Sequence, residues 1–223
     1  MICLALDTST RMASVACGRE GEVLAESQLV VKATHSESVL PEIDRLLRSC
    51  DMSPSDIGEV VVGAGPGSFT GVRIAASFAK GICFASGARL YAYSSLAAVA
   101  RAVGQSGQVC AMFDARRGQV YAAGYSREAG LCEIFPPEAV SLPSLLARLE
   151  VPEWSFAGDG AAAGEDLISA GGGHVLDRKT WYPRASSLLR LRFEVPDAGL
   201  VAQVREWQPA YVRLPAAQRD LGS

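Results

Sequence analysis

Apolar and polar positions alternate through the N-terminal stretch of the chain and later recur at helical spacing. The alternation predicts β-strands at residues 2–6, 13–17 and 23–30, with a turn at 19–21 joining the last two. The next apolar positions lie on one face of a helix over 39–47: Val39, Leu40, Ile43, Leu46 and Leu47. The chain therefore opens as three strands followed by an amphipathic helix.

The start of that helix is open between two positions. Thr34 with Glu37 fits a capping box, and this start would leave Pro41 inside the helix as a kink. A start at Ser38 instead puts Pro41 in the first turn, where proline is tolerated.

The rest of the first half reads as alternating strands and helices. Residues 53–56 carry a second helix-start signal, with a serine before Pro54 and an acid behind it. A strand at 59–62, a long helix at 72–85 that Gly87 can close, and a strand at 89–93 follow. Ser94 or Ser95 then caps a helix that runs to about residue 103.

The second half begins in the same way as the first. A strand at 109–113 ends in Asp114, and a turn at 115–118 leads to a strand at 119–125. Beyond it the pattern predicts a helix at 141–149, a strand at 154–157, a turn at 158–160 and a flexible loop at 171–173. This echo indicates a duplicated β-β-β-α-β-α unit, with residues 1–105 and 106–223 as its two copies and the second copy reduced.

Composition places the chain among globular proteins, because 49% of its 223 residues are hydrophobic and 20% are charged. The net charge of −3 argues against autonomous binding to nucleic acid through phosphates. No apolar run is long enough to span a bilayer and no cationic leader is evident, so we expect a cytoplasmic protein. The 6 cysteines are scattered without C-x-x-C spacing and are expected to be buried thiols.

The segment GAGPGSFTGVR at 63–73 is the most distinctive motif. It follows a β-branched run and leads into the long helix, so free backbone N–H groups at the helix start could bind an anion or a partner. The segment is neither a Walker A loop nor a G-x-G-x-x-G fingerprint. The alternative interpretation is a tight connection from strand to helix without a ligand.

Four motifs in order resemble the TsaB family, formerly YeaZ, of bacterial tRNA threonylcarbamoyladenosine biosynthesis. They are ALDTST at 5–10, GAGPGSFTGVR at 63–73, DARRGQVY at 114–121 and PAYVR at 209–213, and the resemblance covers essentially the whole chain. It implies an α/β fold of the actin, sugar-kinase and heat-shock ATPase (ASKHA) type, built from two related βββαβα subdomains of which the second is reduced.

The resemblance also implies a role. The chain would be the non-catalytic partner of the paralogue TsaD, which transfers a threonylcarbamoyl group to the adenosine next to the anticodon of tRNAs that read codons beginning with A. TsaE, a small P-loop ATPase, would be the third component, and tRNA would be bound only indirectly. No resident cofactor is expected, and any weak ATP or ADP binding would occur at the complex interface.

The same resemblance accounts for an older interpretation as a glycoprotease, or M22-type peptidase. The catalytic paralogue holds its metal with an H-x-x-x-H pair on the helix that corresponds to residues 94–99 here. That segment reads SSLAAV, and the chain contains only 2 histidines, His35 and His174. Hydroxyl and aliphatic groups do not replace imidazole as ligands of zinc or iron, so we expect no metal site and no catalytic residue.

Five residues mark where the ATPases of this fold bind nucleotide: Asp7, Thr8, Ser9, Asp114 and Gly158. Two carboxylates across a cleft could hold Mg²⁺ in an ATP-dependent small-molecule kinase, which is the alternative function. On the other interpretation, both aspartates only end strands and hold turns, and the cleft is vestigial.

The long helix predicted at 72–85, which follows the GAGPGSFTGVR segment, has apolar residues on nearly all sides. It must therefore be enclosed on most sides. It lies either between the two subdomains or against another polypeptide. The resemblance favours a partner surface for TsaD, or for a second copy when the chain is alone. Its predicted residues are Leu40, Ile43, Leu47, Phe69, Arg73, Ala76, Ala79 and Lys80.

The C-terminal aromatic residues Trp207 and Tyr211, with Arg213, have two interpretations. They could stack on nucleic-acid bases, or they could dock the C-terminal segment onto the body of the protein. The weak negative charge favours docking.

Overall fold

Two five-stranded mixed sheets organise the chain, for which the computed structural model describes residues 1–30 and 35–212. In the first sheet the strand order is β3-β2-β1-β4-β5. The strands are β1 (Ile2–Asp7), β2 (Met12–Arg19), β3 (Glu22–Val30), β4 (Ile57–Gly63) and β5 (Arg89–Tyr93). The first three strands are antiparallel neighbours, whereas β4 and β5 run parallel to β1.

The second sheet repeats this arrangement, with strand order β10-β9-β6-β7-β8. Its strands are β6 (Gln108–Asp114), β7 (Gln119–Ser126), β8 (Cys132–Ser141), β9 (Trp154–Ala157) and β10 (His174–Val175). Again three antiparallel strands come first, and two parallel ones follow. The predicted duplicated βββαβα fold is confirmed.

Helices fill the connections and separate the layers. In the first half they are α1 (His35–Ser49), α2 (Phe69–Ser86) and α3 (Ser95–Ala102). In the second half they are α4 (Leu142–Leu146), α5 (Asp159–Ala163), α6 (Glu165–Ala170), α7 (Ala185–Glu194) and α8 (Pro196–Gly199). The crossover helices α4 to α6 are much shorter than α1 and α2, as expected for a reduced second copy.

The alternation of side chains along β1 assigns the faces of the first sheet. Leu4 and Leu6 pack with α1 and α2, whereas Cys3 and Ala5 pack with α7. The apolar side of α3 packs on the second sheet, and the other face of that sheet is covered by α4, α5 and α6. The layers are therefore α1 and α2, first sheet, α3 and α7, second sheet, and α4 to α6. Helix α2 lies on the outside of this stack, not between the two halves.

Local capping explains where α2 begins and ends. The Ser68 hydroxyl accepts a hydrogen bond from the backbone N–H of Gly71, and Gly87 closes the helix in the left-handed conformation with φ of 73°. The predicted helix and its closing glycine are confirmed, with the first turn beginning at Phe69.

Several elements differ from the sequence-based predictions. Helix α1 begins at His35 and contains Pro41, so a start at Ser38 is wrong, and the Thr34–Glu37 box lies outside the described residues. The signal at 53–56 forms one 3₁₀ turn (Pro54–Asp56), because Ile57 enters β4 at once. The expected turn at 158–160 begins helix α5, and the helix predicted at 141–149 is confined to α4.

Helix α7 belongs to the second half of the chain but packs on the first sheet. The backbone N–H of Ala185 donates to the Ser14 hydroxyl at 2.9 Å, and the Arg192 guanidinium bonds the buried Glu59 carboxylate. A boundary between residues 105 and 106 stays a prediction, and α7 contributes to the core of the first half.

Within the described residues, no helix combines the length and the apolar character that crossing a membrane requires. Among the cysteines, Cys3, Cys17, Cys83 and Cys110 are buried, Cys50 is partly buried and Cys132 is exposed. The prediction of buried thiols therefore holds for Cys3, Cys17, Cys83 and Cys110, holds only in part for Cys50, and is wrong for Cys132.

Candidate functional site

An apolar groove runs between α1 and α2 on the outer face of the first sheet. Its volume is about 670 Å³, and its walls are Leu40, Ile43, Asp44, Leu47, Pro54, Ser55, Ile57, Ile82, Ala85 and Ser86. Leu40 stands at the rim with 50% of its surface exposed, and Ile43 and Leu47 are buried beneath it. Because large apolar side chains remain uncovered in a concave surface, this groove is a candidate binding site for another polypeptide.

The two faces of α2 assign its small residues to the interior. Ala75, Ala79 and Cys83 are buried in the apolar cluster of the first sheet and Ala76 is also buried, whereas Phe84 is exposed. Both Ala76 and Ala79 are buried within this chain, and their place in a partner-binding face stays a prediction. Small side chains allow the helix to lie close to the sheet, and the larger Ile82 points to the groove.

The N-terminal end of α2 carries a stacked cluster of exposed side chains. The Arg73 guanidinium lies 3.7 Å from the Phe69 ring centroid and donates from Nε to the Tyr211 hydroxyl at 3.1 Å. The rings of Phe69 and Tyr211 are 5.3 Å apart. Of the predicted partner-binding residues, Phe69 and Arg73 thus lie on the outside, at the end of α2 away from the groove.

The described C-terminal segment is docked on the first half of the protein. Trp207 packs against the core of the first sheet, and the Lys80 ammonium donates to the backbone oxygen of Arg205 at 3.0 Å. The backbone N–H of Ala210 donates to the oxygen of Ala64 in the glycine loop. Docking of Trp207 and Tyr211 is therefore confirmed, while Arg213 lies outside the described residues. Lys80 is held by this segment and is only half-exposed.

Asp7 is buried under the glycine loop. Its Oδ1 accepts hydrogen bonds from the backbone N–H of Ser9 at 2.7 Å and the Ser9 hydroxyl at 2.6 Å, and its Oδ2 accepts from the Ser95 hydroxyl at 2.6 Å. Burial raises the pKa of this carboxyl, and the hydrogen bonds from Ser9 and Ser95 oppose that shift. Sequence reasoning did not find Ser95, since nothing in the sequence relates it to Asp7.

The glycine loop and the first turn of α2 cover the end of the β1–β2 hairpin. A Cβ atom at Gly63 would lie 1.8 Å from Asp7 Oδ2, and one at Gly71 would lie 1.9 Å from the backbone oxygen of Thr8. The Thr8 hydroxyl donates to the backbone oxygen of Gly71 at 2.6 Å. The loop is thus packed directly on Asp7 and Thr8, which agrees with the interpretation as a tight connection.

In the second half, Asp114 occupies the position that corresponds to Asp7, at the end of the first strand, and it is more exposed to solvent. The Asp114 side chain is exposed, and its Oδ1 accepts from the backbone N–H of Arg116 at 2.7 Å. The backbone N–H of Asp114 donates to Asp159 Oδ1 at 3.2 Å. Burial raises the pKa of Asp159, and the nearby charge of Asp114 adds to that shift. Gly158 has φ of 106° and a Cβ there would meet the Met112 oxygen at 1.9 Å, so it supports the packing of α5 on β6.

A polar cleft of about 460 Å³ lies between the two hairpins. It is lined by Ser9, Thr10, Arg11, Gly67, Ser68, Phe69, Thr70, Phe113, Asp114, Ala115, Arg116, Tyr121 and Asp159. Of the predicted cleft residues, Ser9 and Asp114 are in its walls, while Asp7, Thr8 and Gly158 lie behind them. The described part of the chain contains no cluster of three His, Cys, Asp or Glu side chains that could hold a metal ion. The site residues stay predictions in their functional role.

Comparison with known proteins relates this chain to tRNA modification. The family model described as "TsaD: tRNA N6-adenosine threonylcarbamoyltransferase" matches residues 22–189. The chain is 32% identical over 225 residues to the tRNA threonylcarbamoyladenosine biosynthesis protein TsaB of Escherichia coli, covering 98% of this chain and 97% of that protein. It is 40% identical over 153 residues to the Bacillus subtilis protein of the same name, covering 67% of this chain and 66% of that protein.

A solved structure agrees with this relationship. The structure of YeaZ from Pseudomonas aeruginosa superimposes with a TM-score of 0.77 at 28% identity, covering 94% of this chain and 99% of that one.

Proposed function

Since the chain belongs to the TsaB family of tRNA threonylcarbamoyladenosine biosynthesis proteins, we propose that it serves this pathway as a non-catalytic subunit that binds TsaD. The observation that carries this proposal is the apolar groove between α1 and α2. Helix α2 lies on the outside of the layered fold, so its groove-facing side is open to a second protein.

The chemistry of the groove suits an amphipathic helix of the partner. Its floor is aliphatic, with Ile43, Leu47 and Ile57, while polar side chains such as Asp44 and Ser55 stand in its walls. Apolar anchors that repeat along one helical face can fill such a groove, and the polar rim then sets their orientation. The same surface would serve a second copy of this chain when TsaD is absent.

The burial and the hydrogen bonds of Asp7 support the proposal that this subunit has no catalytic activity of its own. Its carboxyl group is buried, already accepts three hydrogen bonds from Ser9 and Ser95, and does not line the cleft. A kinase of this fold would need this group free to hold Mg²⁺ near the phosphates. Helix α3 carries Ser95 at its start and no imidazole, so the metal pair of the paralogue has no equivalent there.

The polar cleft is then a place for nucleotide only in the assembled complex. Arg11 and Arg116 could approach phosphate groups there, and TsaE would join as the third component. Transfer of the threonylcarbamoyl group would take place on TsaD, and tRNA would contact this chain only through the complex.

Two leucines of similar exposure, one at the rim of the groove and one far from it, allow a matched test of the proposed binding surface. Leu40 is 50% exposed at the rim of the groove, and Leu167 is 53% exposed on α6 at the other end of the molecule. We expect Leu40→Asp to weaken binding to purified TsaD by roughly 10-fold or more in isothermal titration, because a charge would be buried in an apolar contact. Leu167→Asp should bind like the unaltered protein. Equal affinities of all three proteins, or no binding of the unaltered chain to TsaD, would reject the proposal.

A further inference from the structure

Two cysteine side chains meet beneath the C-terminal end of α1. Cys17 lies on β2, and Cys50 directly follows the last residue of α1. Their sulfur atoms are 3.7 Å apart, which is van der Waals contact, although 33 positions separate the residues in sequence. Both side chains belong to the apolar cluster between the first sheet and α1. The contact is thus made by the fold and is not visible as a sequence motif.

We propose that Cys17 and Cys50 are a dithiol modification site, which closes to an intramolecular disulfide when the chain meets a low-molecular-weight disulfide. An S–S bond is about 2.0 Å long, so the two sulfurs must approach by roughly 1.7 Å from their present separation. Cys17 is fixed in the middle of the sheet, with neighbours on both sides. Cys50 lies in the turn after α1, where its backbone N–H donates to the oxygen of Leu47 at 3.0 Å within the last helical turn, so this side supplies the movement.

The two thiols have different access to an oxidant. Cys50 is partly exposed, whereas Cys17 is buried, and burial raises the pKa of the Cys17 thiol to about 12. Cys50 therefore reacts first with the small disulfide, and Cys17 acts as the resolving thiol from inside the protein.

The reaction proceeds by two thiol–disulfide exchanges. The Cys50 thiolate attacks one sulfur of the small disulfide, forms a mixed disulfide and releases one small thiolate. Cys17, whose proton passes to that released thiolate, attacks the Cys50 sulfur and expels the second small thiolate. This thiolate takes up the proton that Cys50 had lost. Two protein thiols are oxidised, and one small disulfide is reduced to two small thiols.

The experiment uses the Cys132→Ser variant, because Cys132 is exposed on β8 and would react by itself. The folded variant is incubated with glutathione disulfide, then denatured, alkylated with N-ethylmaleimide and digested for mass spectrometry. We expect a cross-linked peptide pair that contains Cys17 and Cys50 and that dithiothreitol releases. The oxidised protein should also unfold at a temperature higher by about 5 °C or more, since the cross-link restricts the unfolded chain.

Two further variants in the same background define the order of reaction. Cys17→Ala should stop after the first exchange and carry glutathione on Cys50, whereas Cys50→Ala should remain unmodified. Cys83→Ala, which removes a buried thiol outside the pair, should still form the cross-link. A stable glutathione adduct on Cys50 with Cys17 still reduced, or no reaction at all, would overturn the proposal. The readout concerns this chain alone, so it is independent of binding to TsaD.

Discussion

Asp7 is a carboxyl group whose hydrogen-bonding capacity is used inside the protein. Its oxygens accept from Ser9 and Ser95, and burial raises its pKa above the ordinary value of an aspartate. The folded state therefore keeps the proton at pH values at which the unfolded chain has already lost it. Asp7 lowers the free energy of unfolding as pH rises through the interval between the unfolded and the folded pKa.

Replacing Asp7 by asparagine should remove this dependence. We expect Asp7→Asn to match the unaltered protein in stability below the ordinary aspartate pKa and to become relatively more stable as pH rises above it. Urea unfolding at a series of pH values, from below the ordinary aspartate pKa up to neutral pH, measures the difference. A difference that is constant over this range, or that changes in the opposite direction, would show that burial does not raise the pKa of Asp7.

Arg89 and Arg192 bind the same buried carboxylate from different environments. Arg192 reaches Glu59 from α7 with a side chain that is 13% exposed, whereas the Arg89 side chain on β5 is 57% exposed. The Arg192 guanidinium also lies 4.0 Å from the Tyr91 ring centroid. Arg192 is thus the desolvated partner of Glu59, and Arg89 is the solvated one.

We therefore expect unequal costs on removal of the two charges. Arg192→Met should lower the free energy of unfolding by about 2–3 kcal/mol, because Glu59 loses its buried partner. Arg89→Met should cost under about 1 kcal/mol, as is typical of exposed ion pairs. Adding Glu59→Gln to Arg192→Met should restore part of the loss. Equal effects of the two single variants in chemical denaturation would contradict this assignment.

At the scale of elements, α2 carries two glycines with opposite surroundings. A Cβ atom at Gly71 would lie 1.9 Å from the backbone oxygen of Thr8, whereas one at Gly81 would have nothing within 4 Å. Gly71 is required by the close approach of the helix to the β1–β2 hairpin, and Gly81 is only a weak point of an exposed helical face.

Substitution by alanine should therefore change the free energy of unfolding in opposite directions at the two positions. Gly71→Ala should destabilise the protein by at least about 2 kcal/mol, since backbone must shift to admit the methyl group. Gly81→Ala should stabilise it by about 0.5–1 kcal/mol through helix propensity alone. Thermal unfolding of both variants checks this. A tolerated alanine at position 71 would indicate that the loop is not packed as described.

The sequence was informative for elements whose local signals were strong. The bounds of β5 and β9 are as predicted, because apolar runs end at capping serine and glycine residues there. Strand β8 was not predicted since Pro136 and Pro137 interrupt its pattern, which an edge strand tolerates. Helix α7 was missed because it lacks a side-chain cap and takes its place from contacts with a distant sheet.

For the candidate site, the sequence predicted α1 and α2, whose residues line the groove, but it did not predict which side chains of α2 face the groove. Apolar residues surround α2, so periodicity did not show that Ala75 and Ala79 pack on the sheet while Ile82 lines the groove. The contact between Asp7 and Ser95 joins two distant segments and has no local signal. Side-chain orientation depended on the position of the sheet, which only the structure provides.

At the scale of the whole molecule, the layered arrangement separates two candidate surfaces. The groove of α1 and α2 faces away from the second sheet, and the polar cleft lies between the hairpins of the two halves. Substitutions in the groove and substitutions in the polar cleft can therefore be tested independently of each other. In the proposed function, this chain acts by holding TsaD and not by a reaction of its own.

The most direct test is the amount of threonylcarbamoyladenosine in tRNA from cells that lack this chain and receive a variant in its place. Asp114→Asn keeps the oxygen that accepts from the Arg116 N–H and removes the cleft carboxylate, whereas Leu40→Asp alters only the groove. We expect Asp114→Asn to restore the modification to the level given by the unaltered chain, and we expect Leu40→Asp not to restore it. Loss of the modification with Asp114→Asn, together with full restoration by Leu40→Asp, would contradict the proposed function.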